Sequence, residues 1–531
     1  MKKQLFFAFS FWLLAVGIKA APPLRGLMPM NSGHGASVTP LAETVSPVVE
    51  FSPCVSQAAM IGNSSYLQHS GSPRVLTILA AFQDIDFTVN NPVQAFDQYL
   101  NADTLMDLGN YNQMNVASVR RYFEICSRGQ FTPQFDVVGP VTLPQKMAYY
   151  GGKNDTGSDD RFGDFCRDAM NQAKEVVADW SQYDNDGDGR IELVCVIFAG
   201  FGQNQGGADS TIWAKASHQN RRLNDTMYIS RFNCCSELFH PQRPDYINGT
   251  GVFIHEFSHC MGLPDLYATS KKAQVNNQGM ETYSIMDYGL YNHNGFAPCP
   301  YTAWEQEVMG WTEMEEVKSD EVKSEKYLAD ILPLIEGGKA YKLVNENNDR
   351  DYIVMENVQK RGLNEYASGH GLLVYHVDYP YTSVNMGDTP NNNPGHPSVA
   401  VVPAGGLFIN SYLRGNNLPY TRKEWQESLS SATFPGTKAV TSLSDQMLLP
   451  NYCFWNDDEV KNVGFALSNI SEDAETGTVS FAIVSGDAAG IDDVRWQTDK
   501  WRGPVYDLQG CKVVNPTRGL YIVNGKKVVV K

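Results

Sequence analysis

The segment Gly251–Tyr267 (GVFIHEFSHCMGLPDLY) carries the residues whose types and spacing best suit chemistry. His255 and His259 stand four positions apart, and Glu256 directly follows the first of them. On a helix this spacing places both imidazoles on one face, one turn apart, where they can bind a single Zn²⁺ ion. Zinc lowers the pKa of a bound water to about 7, so that a neighbouring carboxylate can take its proton. The motif therefore predicts a zinc site with Glu256 as the general base for attack on a carbonyl group.

The residues after this motif can supply a third metal ligand. Gly262 can adopt the left-handed conformation that ends a helix, and Pro264 prevents the helix from continuing. The chain can then turn back and present Asp265 to the same metal. Glu281 is a rival for this role, because zinc accepts either carboxylate. Three protein ligands leave the fourth position open for water or substrate, as a catalytic zinc site requires.

A second motif, Ser284-Ile-Met-Asp-Tyr-Gly289, follows nineteen residues after Asp265. A methionine after HExxHxxGxx(H/D) is typical of a Met-turn, an apolar floor beneath the histidine ligands, although core packing explains Met286 equally well. The hydroxyl of Tyr288, or alternatively that of Tyr283, could donate a hydrogen bond to the oxyanion formed during carbonyl attack. Tyr288 is therefore a candidate catalytic residue beside Glu256.

A calcium site is a further prediction, from the run DNDGDGRIE at 184–192. Alternating carboxylates with glycine at the sixth position match the first half of a calcium-binding loop. The second half differs, because position 12, normally a glutamate, is Cys195 and a strand rather than a helix is expected to follow. A solvated acidic turn is the alternative. The predicted calcium ligands are Asp184, Asp186, Asp188 and Glu192.

The ten cysteines form no CxxC pair, which argues against a cysteine-based zinc site. Their even number permits disulfides in an oxidising compartment, and buried free thiols are the alternative. Cys54 lies in the predicted pro-segment, where a thiolate could occupy the open position on zinc and keep the enzyme latent. A disulfide or a buried thiol is the simpler interpretation of this single cysteine.

Composition and hydrophobic patterning indicate how the rest of the chain is organised. The 531 residues carry 42 Lys and Arg against 59 Asp and Glu, a net charge of −17, which argues against nucleic acid as the main partner. The first twenty residues have the charged start, apolar core and small-residue end of a signal peptide rather than the length of a membrane span. The predicted organisation is a signal peptide at 1–20, a pro-segment or linker at 21–70, a catalytic domain at 71–312, a β-rich accessory domain at 327–485 and a small β segment at 504–531.

Several segments together resemble the immune inhibitor A family of secreted bacterial zinc metallopeptidases. They are the HExxH segment, YSIMDYG, SVRRYFEICSRGQF (118–131), YDNDGDGRIELVCVIFAG (183–200) and DYIVMENVQKRG with GHGLLVYHVD (351–378). The resemblance implies an α/β catalytic domain of the zincin type, metzincin-like, followed by all-β accessory structure. It also implies a latent precursor that cleaves extracellular proteins, with His255, His259 and Asp265 as zinc ligands.

The last residues, from Val505 to Lys531, resemble the C-terminal sorting domains of type IX secretion, although a plain β-hairpin has the same features. Attachment to the outer cell surface through this segment would follow. The leading hypothesis is thus a secreted or surface-attached zinc endopeptidase acting on proteins or glycoproteins, with Ca²⁺ as a second ion. The alternative is a surface binding protein or adhesin, in which the β-rich half makes the contacts and the metal site is vestigial.

Overall fold

The computed structural model describes residues 18–28, 61, 65–106, 112–152, 159–318, 322, 325–415, 418–456 and 459–485, and strands at 505–506, 512–513, 519–523 and 526–530. Nearly all of the predicted signal peptide, and Cys54 in the predicted pro-segment, lie outside these residues. The chain divides into two compact units, residues 1–485 and 486–531.

The strands of the larger unit are β1 (Ile18–Ala20), β2 (Arg74–Ala81), β3 (Gln134–Thr142), β4 (Arg190–Phe201), β5 (Lys215–Arg222), β6 (Tyr228–His240), β7 (Arg243–Ile247), β8 (Glu315–Glu316), β9 (Lys326–Ile331), β10 (Tyr341–Asn345), β11 (Asn348–Val358), β12 (Gly371–Asp378), β13 (Val399–Val401), β14 (Leu443–Ser444), β15 (Phe454–Asn456), β16 (Glu459–Lys461), β17 (Phe465–Glu472) and β18 (Val479–Ser485). Its helices are α1 (Pro92–Asn101), α2 (Val119–Cys126), α3 (Met147–Tyr150), α4 (Phe162–Ala173), α5 (Thr250–Cys260), α6 (Lys271–Asn276), α7 (Ala303–Val308) and α8 (Arg422–Ser430).

The first part of the chain forms a mixed sheet in the order β1-β5-β6-β4-β2-β3, with β7 also paired to β6. Strands β2, β3, β4 and β6 run parallel, whereas β5 is antiparallel to β6. The apolar runs at 75–82 and 191–199 indeed become β2 and β4, whose burial on both faces is typical of parallel strands. The sheet places β5 beside the HExxH helix α5.

Helices cover both faces of this sheet, because successive side chains of a strand point to opposite faces. In β2, Val75 and Leu79 join one apolar cluster, and Leu76 and Ile78 join the other. The first cluster holds side chains of α1, α2 and α5, and the second holds those of α3 and α4. The HExxH helix is therefore fixed on one face of the sheet by a large apolar core.

The strand-rich part that follows packs two antiparallel sheets against each other. One has the order β13-β12-β11-β10-β8, with β8 and β10 its one parallel pair, and the other β14-β17-β18-β9. Ile353 of β11 and Phe481 of β18 share one apolar cluster between the sheets. On the opposite face of β11, Val354 joins the core around α5. The strand-rich part is thus continuous with the core behind the HExxH helix.

The prediction of an all-β region after residue 327 is incomplete, because the structure has a helix, α8, within it. Thr421 and Glu424 form a reciprocal capping box at its start, which satisfies backbone N–H groups that a helix end leaves free. Trp425 and Leu429, one turn apart, are buried. A local capping signal together with two apolar anchors therefore outweighs the β-rich context.

The smaller unit is a four-stranded sheet of β19 (Val505–Tyr506), β20 (Lys512–Val513), β21 (Gly519–Val523) and β22 (Lys526–Val530), in the order β20-β19-β21-β22. Strands β21 and β22 pair as an antiparallel hairpin, where the sequence predicts two strands around a turn. A role in sorting stays a prediction. Among the described residues, no helix is both long enough and apolar enough to cross a membrane.

Eight cysteines lie in the described part of the chain, and all eight are free thiols. Seven of them are buried, and Cys453 is half-buried. Within this part of the chain the alternative of buried free thiols is therefore correct, and disulfides are absent. The seven buried cysteines belong to the apolar clusters, where a thiol packs as a small hydrophobic side chain.

Glu356 of β11 is a buried carboxyl that contacts the start of α7, and its effect on stability should depend on pH. Its Oε1 atom accepts a hydrogen bond from the backbone N–H of Ala303 (3.1 Å), and burial raises its pKa to about 7. Because this folded-state pKa exceeds the unfolded value, the folded protein retains a proton that the unfolded chain releases as the pH rises. We expect the stability of the wild type to fall relative to Glu356→Gln, by up to about 3 kcal/mol between pH 4.5 and 8.

Urea denaturation of the two proteins at pH 4.5, 6 and 8 measures this difference. Other buried acids are common to both proteins, so their contributions cancel. A difference in unfolding free energy that does not change with pH would contradict the role assigned to burial of Glu356.

Candidate active site

Helix α5 positions two imidazole rings toward each other. The whole helix is buried, and His255 and His259 lie one turn apart, as their spacing predicts. Nδ1 of His255 lies 2.8 Å from the carbonyl oxygen of Ile285, and Nδ1 of His259 lies 2.7 Å from that of Leu263. A carbonyl can only accept, so each Nδ1 carries the proton and each Nε2 is left with a lone pair suited to a metal.

The end of α5 turns the chain back toward these rings. Gly262 has φ +113°, in the left-handed region predicted for it, and its N–H donates to the carbonyl of His259 (2.9 Å). The turn brings Asp265 beside both histidines, with Oδ1 3.1 Å from His259 Nε2 and 3.6 Å from His255 Nε2. The turn that Gly262 and Pro264 predict therefore places Asp265 beside the two histidines.

The three candidate ligand atoms form a triangle of the size that zinc requires. The two Nε2 atoms are 3.2 Å apart, close to the two distances to Asp265 Oδ1. Zn–N and Zn–O bonds of about 2.0–2.1 Å in a tetrahedron give ligand separations of about 3.3 Å. Asp265 Oδ1 is buried without a hydrogen-bond partner, which is the state of an atom whose natural partner is a cation. His255, His259 and Asp265 thus fit a divalent metal.

Glu256 lies next to this triangle in a wholly buried position. Its Oε1 atom accepts a hydrogen bond from the backbone N–H of Ala21 (2.6 Å), and its Oε2 atom has no partner. Burial raises the pKa of Glu256 to about 8, which is closer to neutral pH than the usual pKa of a glutamate. The side chain is therefore suited to both accepting and donating a proton.

Glu281, the rival ligand, is engaged elsewhere. Its Oε1 atom accepts from the N–H of Ser411, and its Oε2 atom accepts from Trp425 Nε1 (3.3 Å). Asp287 in turn accepts from the N–H groups of Met280 and Glu281 and holds this turn together. The histidine-containing group of candidate metal ligands found in the described residues includes Asp265 and not Glu281.

The two tyrosines proposed as oxyanion donors also have other partners. The hydroxyl of Tyr283 donates to the carbonyl of Leu429 (2.6 Å). The hydroxyl of Tyr288 accepts from the N–H of Arg25 (2.7 Å) and from the guanidinium of Arg414 (3.1 Å). Tyr288 therefore contacts the same N-terminal segment as Glu256, but at Arg25, four residues after Ala21. Its catalytic role stays a prediction.

A segment near the start of the chain, residues 18–28, lies against this site. Lys19 Nζ is 3.3 Å from Asp265 Oδ2. The Tyr267 hydroxyl donates a hydrogen bond to the carbonyl of Ala20, and Trp213 Nε1 donates one to the carbonyl of Ala21. Burial opposes ionisation of Asp265, but Lys19 and His259 outweigh it and hold the pKa of Asp265 well below its usual range. The motif that ends at Tyr267 gives no sign of this contact and none marks Trp213, because only strand pairing over nearly two hundred residues brings their partners to them.

The predicted calcium loop forms a tight turn before β4. Ligand oxygens of Asp184, Asp186 and Asp188 lie within 4.8 Å of one another. Asp184 accepts from the backbone N–H groups of Gly187, Asp188 and Gly189, so this carboxylate already closes the turn. Glu192 lies apart on β4 and accepts from Asn185 (3.2 Å). Calcium binding by these residues stays a prediction.

Comparison with known proteins gives an independent view of this region. Residues 64–311 match the family described as immune inhibitor A peptidase M6, catalytic domain. Immune inhibitor A of Bacillus thuringiensis subsp. alesti is 26% identical over 204 residues, which cover 33% of this chain and 29% of that protein. Pre-pro-metalloprotease PrtV of Vibrio cholerae serotype O1 (strain M66-2) is 25% identical over 293 residues, 47% of this chain and 32% of that protein.

This chain thus spans about a third of the length of the curated relatives that it matches. The matched region contains α5, the turn to Asp265 and the 284–289 motif, which are the parts that build the candidate site. Residues 64–311 are accordingly similar to the catalytic domain of the immune inhibitor A peptidase M6 family.

Proposed function

We propose that this protein is a zinc-dependent endopeptidase. The observation that carries the proposal is the convergence of His255, His259 and Asp265 on one point, with the buried carboxyl of Glu256 beside it. The match of residues 64–311 to a peptidase catalytic domain supports the same reaction class. Zinc held by these three side chains would act as a Lewis acid and lower the pKa of water to about 7.

Glu256 has the position and the proton affinity for the proton transfers of peptide hydrolysis. Its carboxylate takes a proton from the attacking water, whose oxygen forms a bond with the carbonyl carbon. The C–N bond then breaks, and Glu256 delivers the same proton to the nitrogen of the leaving amine. Burial favours the protonated form of this carboxyl, which helps it to hold the proton between the two transfers.

The expected substrates are extracellular proteins or glycoproteins. The signal-peptide pattern of the first twenty residues supports export, and the hairpin of β21 and β22 is compatible with a sorting segment that attaches the protein to the cell surface. The strand-rich region at 327–485 could restrict which proteins reach the site. These finer features form part of the proposal.

Metal removal tests the proposed function. The zinc-loaded full chain, before and after limited proteolysis between residues 29 and 60, is incubated with an unfolded protein such as reduced casein. We expect 1,10-phenanthroline to lower cleavage by about 10³-fold or more, because the Lewis acid and the activated water are lost together. Zinc added back after dialysis should restore the rate.

The adhesin alternative makes the opposite prediction for the same samples. If no preparation cleaves casein with zinc bound, and binding to host glycoproteins survives both chelation and Glu256→Ala, the enzyme hypothesis is wrong and the binding function stands.

A further inference from the structure

A cavity of about 270 Å³ lies where α7 meets the sheet that contains β10, β11 and β12. Trp304 and Glu307, one turn apart on α7, line one side of it, and Lys342 of β10 and Tyr352 of β11 line the side of the sheet. All of its described lining residues belong to α7 or to later parts of the chain, outside the predicted signal peptide and pro-segment. Pockets for drug-sized ligands occupy about 300–1,000 Å³, so this cavity fits a single small ring rather than an extended chain.

Aromatic rings form much of the cavity wall. The ring centroids of Trp304 and Tyr379 are 5.4 Å apart, and those of Tyr379 and Tyr381 are 5.5 Å apart. Trp304 and Tyr379 are buried, whereas Tyr381 is 36% exposed, so its ring is the one that solvent reaches. Tyr379 donates a hydrogen bond to Asp388 Oδ2 (2.8 Å), and the Tyr381 hydroxyl accepts one from the N–H of Thr389 (3.3 Å). The rings are therefore fixed before a ligand binds, which lowers the entropic cost of binding.

The charged side chains around the cavity are almost balanced. Nζ of Lys342 lies 3.2 and 3.3 Å from the two carboxylate oxygens of Glu307, and this ion pair is largely withdrawn from solvent. Glu313, Asp349 and Arg350 also line the cavity and are exposed. The set holds three acidic and two basic side chains, so it offers hydrogen-bond donors and acceptors with little net charge. A ligand that fits this cavity must both donate and accept hydrogen bonds.

Other small-ligand classes fit the cavity poorly. A hydrophobic side chain would remove water from the Lys342–Glu307 pair without replacing its hydrogen bonds, which costs free energy. An anion such as phosphate meets an excess of carboxylates, and a cation finds Glu307 already neutralised by Lys342. A sugar ring differs from these ligands, because its C–H face can pack on an aromatic ring while its hydroxyl groups donate and accept hydrogen bonds.

We propose that this cavity is a binding site for a neutral pyranose ring, which stacks on Tyr381 and exchanges hydrogen bonds with the charged side chains around it. Sugar binding by itself needs no catalytic activity. Its consequence for substrates rests on the proposed function. Because α7 lies in the region similar to a peptidase catalytic domain, a glycan bound here holds a glycoprotein on the enzyme and raises its effective concentration. Glycoproteins are then the favoured substrate class.

Ligand-observed NMR tests the site without turnover. The full, zinc-loaded chain is titrated with the methyl glycosides of glucose, galactose, N-acetylglucosamine and N-acetylgalactosamine, and saturation transfer to their ring C–H protons is measured. We expect a Kd of about 1 mM for at least one glycoside, an affinity typical of a ligand this small. Tyr381→Ala removes the stacking ring and should raise this Kd by about 3- to 10-fold. Tyr381→Phe retains the ring and should stay within about twofold of the wild type.

Tyr327→Ala is the matched control for these titrations. Tyr327 is an exposed tyrosine of β9, in the other sheet of the strand-rich part, and it does not line the cavity. This variant should bind the glycosides as the wild type does. Absence of transfer to every glycoside at tens of millimolar would overturn the proposal, and so would an unchanged Kd in Tyr381→Ala. Phenylalaninamide and argininamide complete the series, because transfer to either of them and to no glycoside would assign the cavity to a peptide side chain instead.

Cleavage of asialofetuin before and after removal of its glycans tests the consequence for substrates. Removal of glycans uncovers the polypeptide, so a protease without a sugar site should cleave the deglycosylated form at least as fast. A sugar site reverses this order, and we expect kcat/KM to be about 3- to 10-fold higher for the glycosylated form, mostly through KM. Tyr381→Ala should bring the ratio of the two kcat/KM values to one or below, and Tyr327→Ala should keep the wild-type ratio.

These experiments distinguish failure of the sugar site from failure of the proposed function. If glycosides bind through Tyr381 and neither form of asialofetuin is cleaved, the endopeptidase function is wrong while the sugar site stands. If both forms are cleaved and no glycoside binds, the sugar site is wrong while the endopeptidase function stands. Faster cleavage of the deglycosylated form by a wild type that binds glycosides would overturn the preference for glycoproteins.

Discussion

Glu256→Gln is expected to lower peptide hydrolysis by about 10³-fold while leaving the zinc content of the protein unchanged. Glutamine has nearly the same shape and can still accept the hydrogen bond from Ala21, but it cannot take a proton from water. Glu256 is not among the three candidate metal ligands, so the metal should remain bound. Initial rates with a quenched fluorescent peptide and metal analysis of the same sample measure both quantities.

Glu356→Gln is the matched control for this experiment, because it makes the same chemical change at another buried glutamate, in β11. Its hydrolysis rate should stay within about twofold of the wild type, as expected for a residue that does not touch the reacting groups. If Glu256→Gln retained more than a tenth of the wild-type rate with full zinc content, Glu256 would not be the base. A loss of zinc in that variant would instead indicate a wrong set of ligands.

Asp265→Asn is expected to weaken zinc binding by more than about 10²-fold, because even groups that only orient metal ligands contribute about 10- to 100-fold. The amide is a poorer donor than the carboxylate and carries no charge to balance the ion. His255→Ala should have an effect at least as large, since its Nε2 atom is directed at the same point. Zinc content after dialysis at a fixed nanomolar concentration of free zinc measures each loss.

Glu281→Gln discriminates between the two carboxylates that the sequence offers as the third ligand. Both Glu281 oxygens already accept hydrogen bonds from Ser411 and Trp425, so this variant should retain zinc even if its stability falls. The opposite pattern, with zinc lost in Glu281→Gln and retained in Asp265→Asn, would transfer the ligand role to Glu281. Thermal unfolding of each variant separates loss of metal from loss of fold.

The turn after α5 shows why part of the site could be read from the sequence. A left-handed glycine and a following proline act over a few residues, so Gly262 and Pro264 predict where the helix ends and where the chain turns. The same reasoning fails for α8, where a local capping box and two apolar anchors form a helix inside a region whose average pattern is β-rich.

The hydrogen-bond partners of Tyr288 are far from it in the sequence, so no local sequence pattern predicts them. The sequence places a tyrosine within the 284–289 motif, but one partner of its hydroxyl is Arg25, 263 residues away in the chain. The same holds for Tyr267, because the acceptor of its hydroxyl is the carbonyl of Ala20, which is also distant in the sequence. Which tyrosine reaches which atom follows from the pairing of β1 with β5, and this pairing forms only when the chain is folded.

The sequence by itself determined the HExxH helix, its two imidazoles, the neighbouring carboxyl and the turn to Asp265, because helical periodicity and turn chemistry act within about one turn of the chain. The tertiary structure decided which of two carboxylates lies beside the histidines, how deeply Glu256 is buried, and which atoms the hydroxyls of Tyr267 and Tyr288 contact. Those properties depend on segments far apart in sequence that meet through strand pairing and apolar packing, where burial also raises the proton affinity of Glu256.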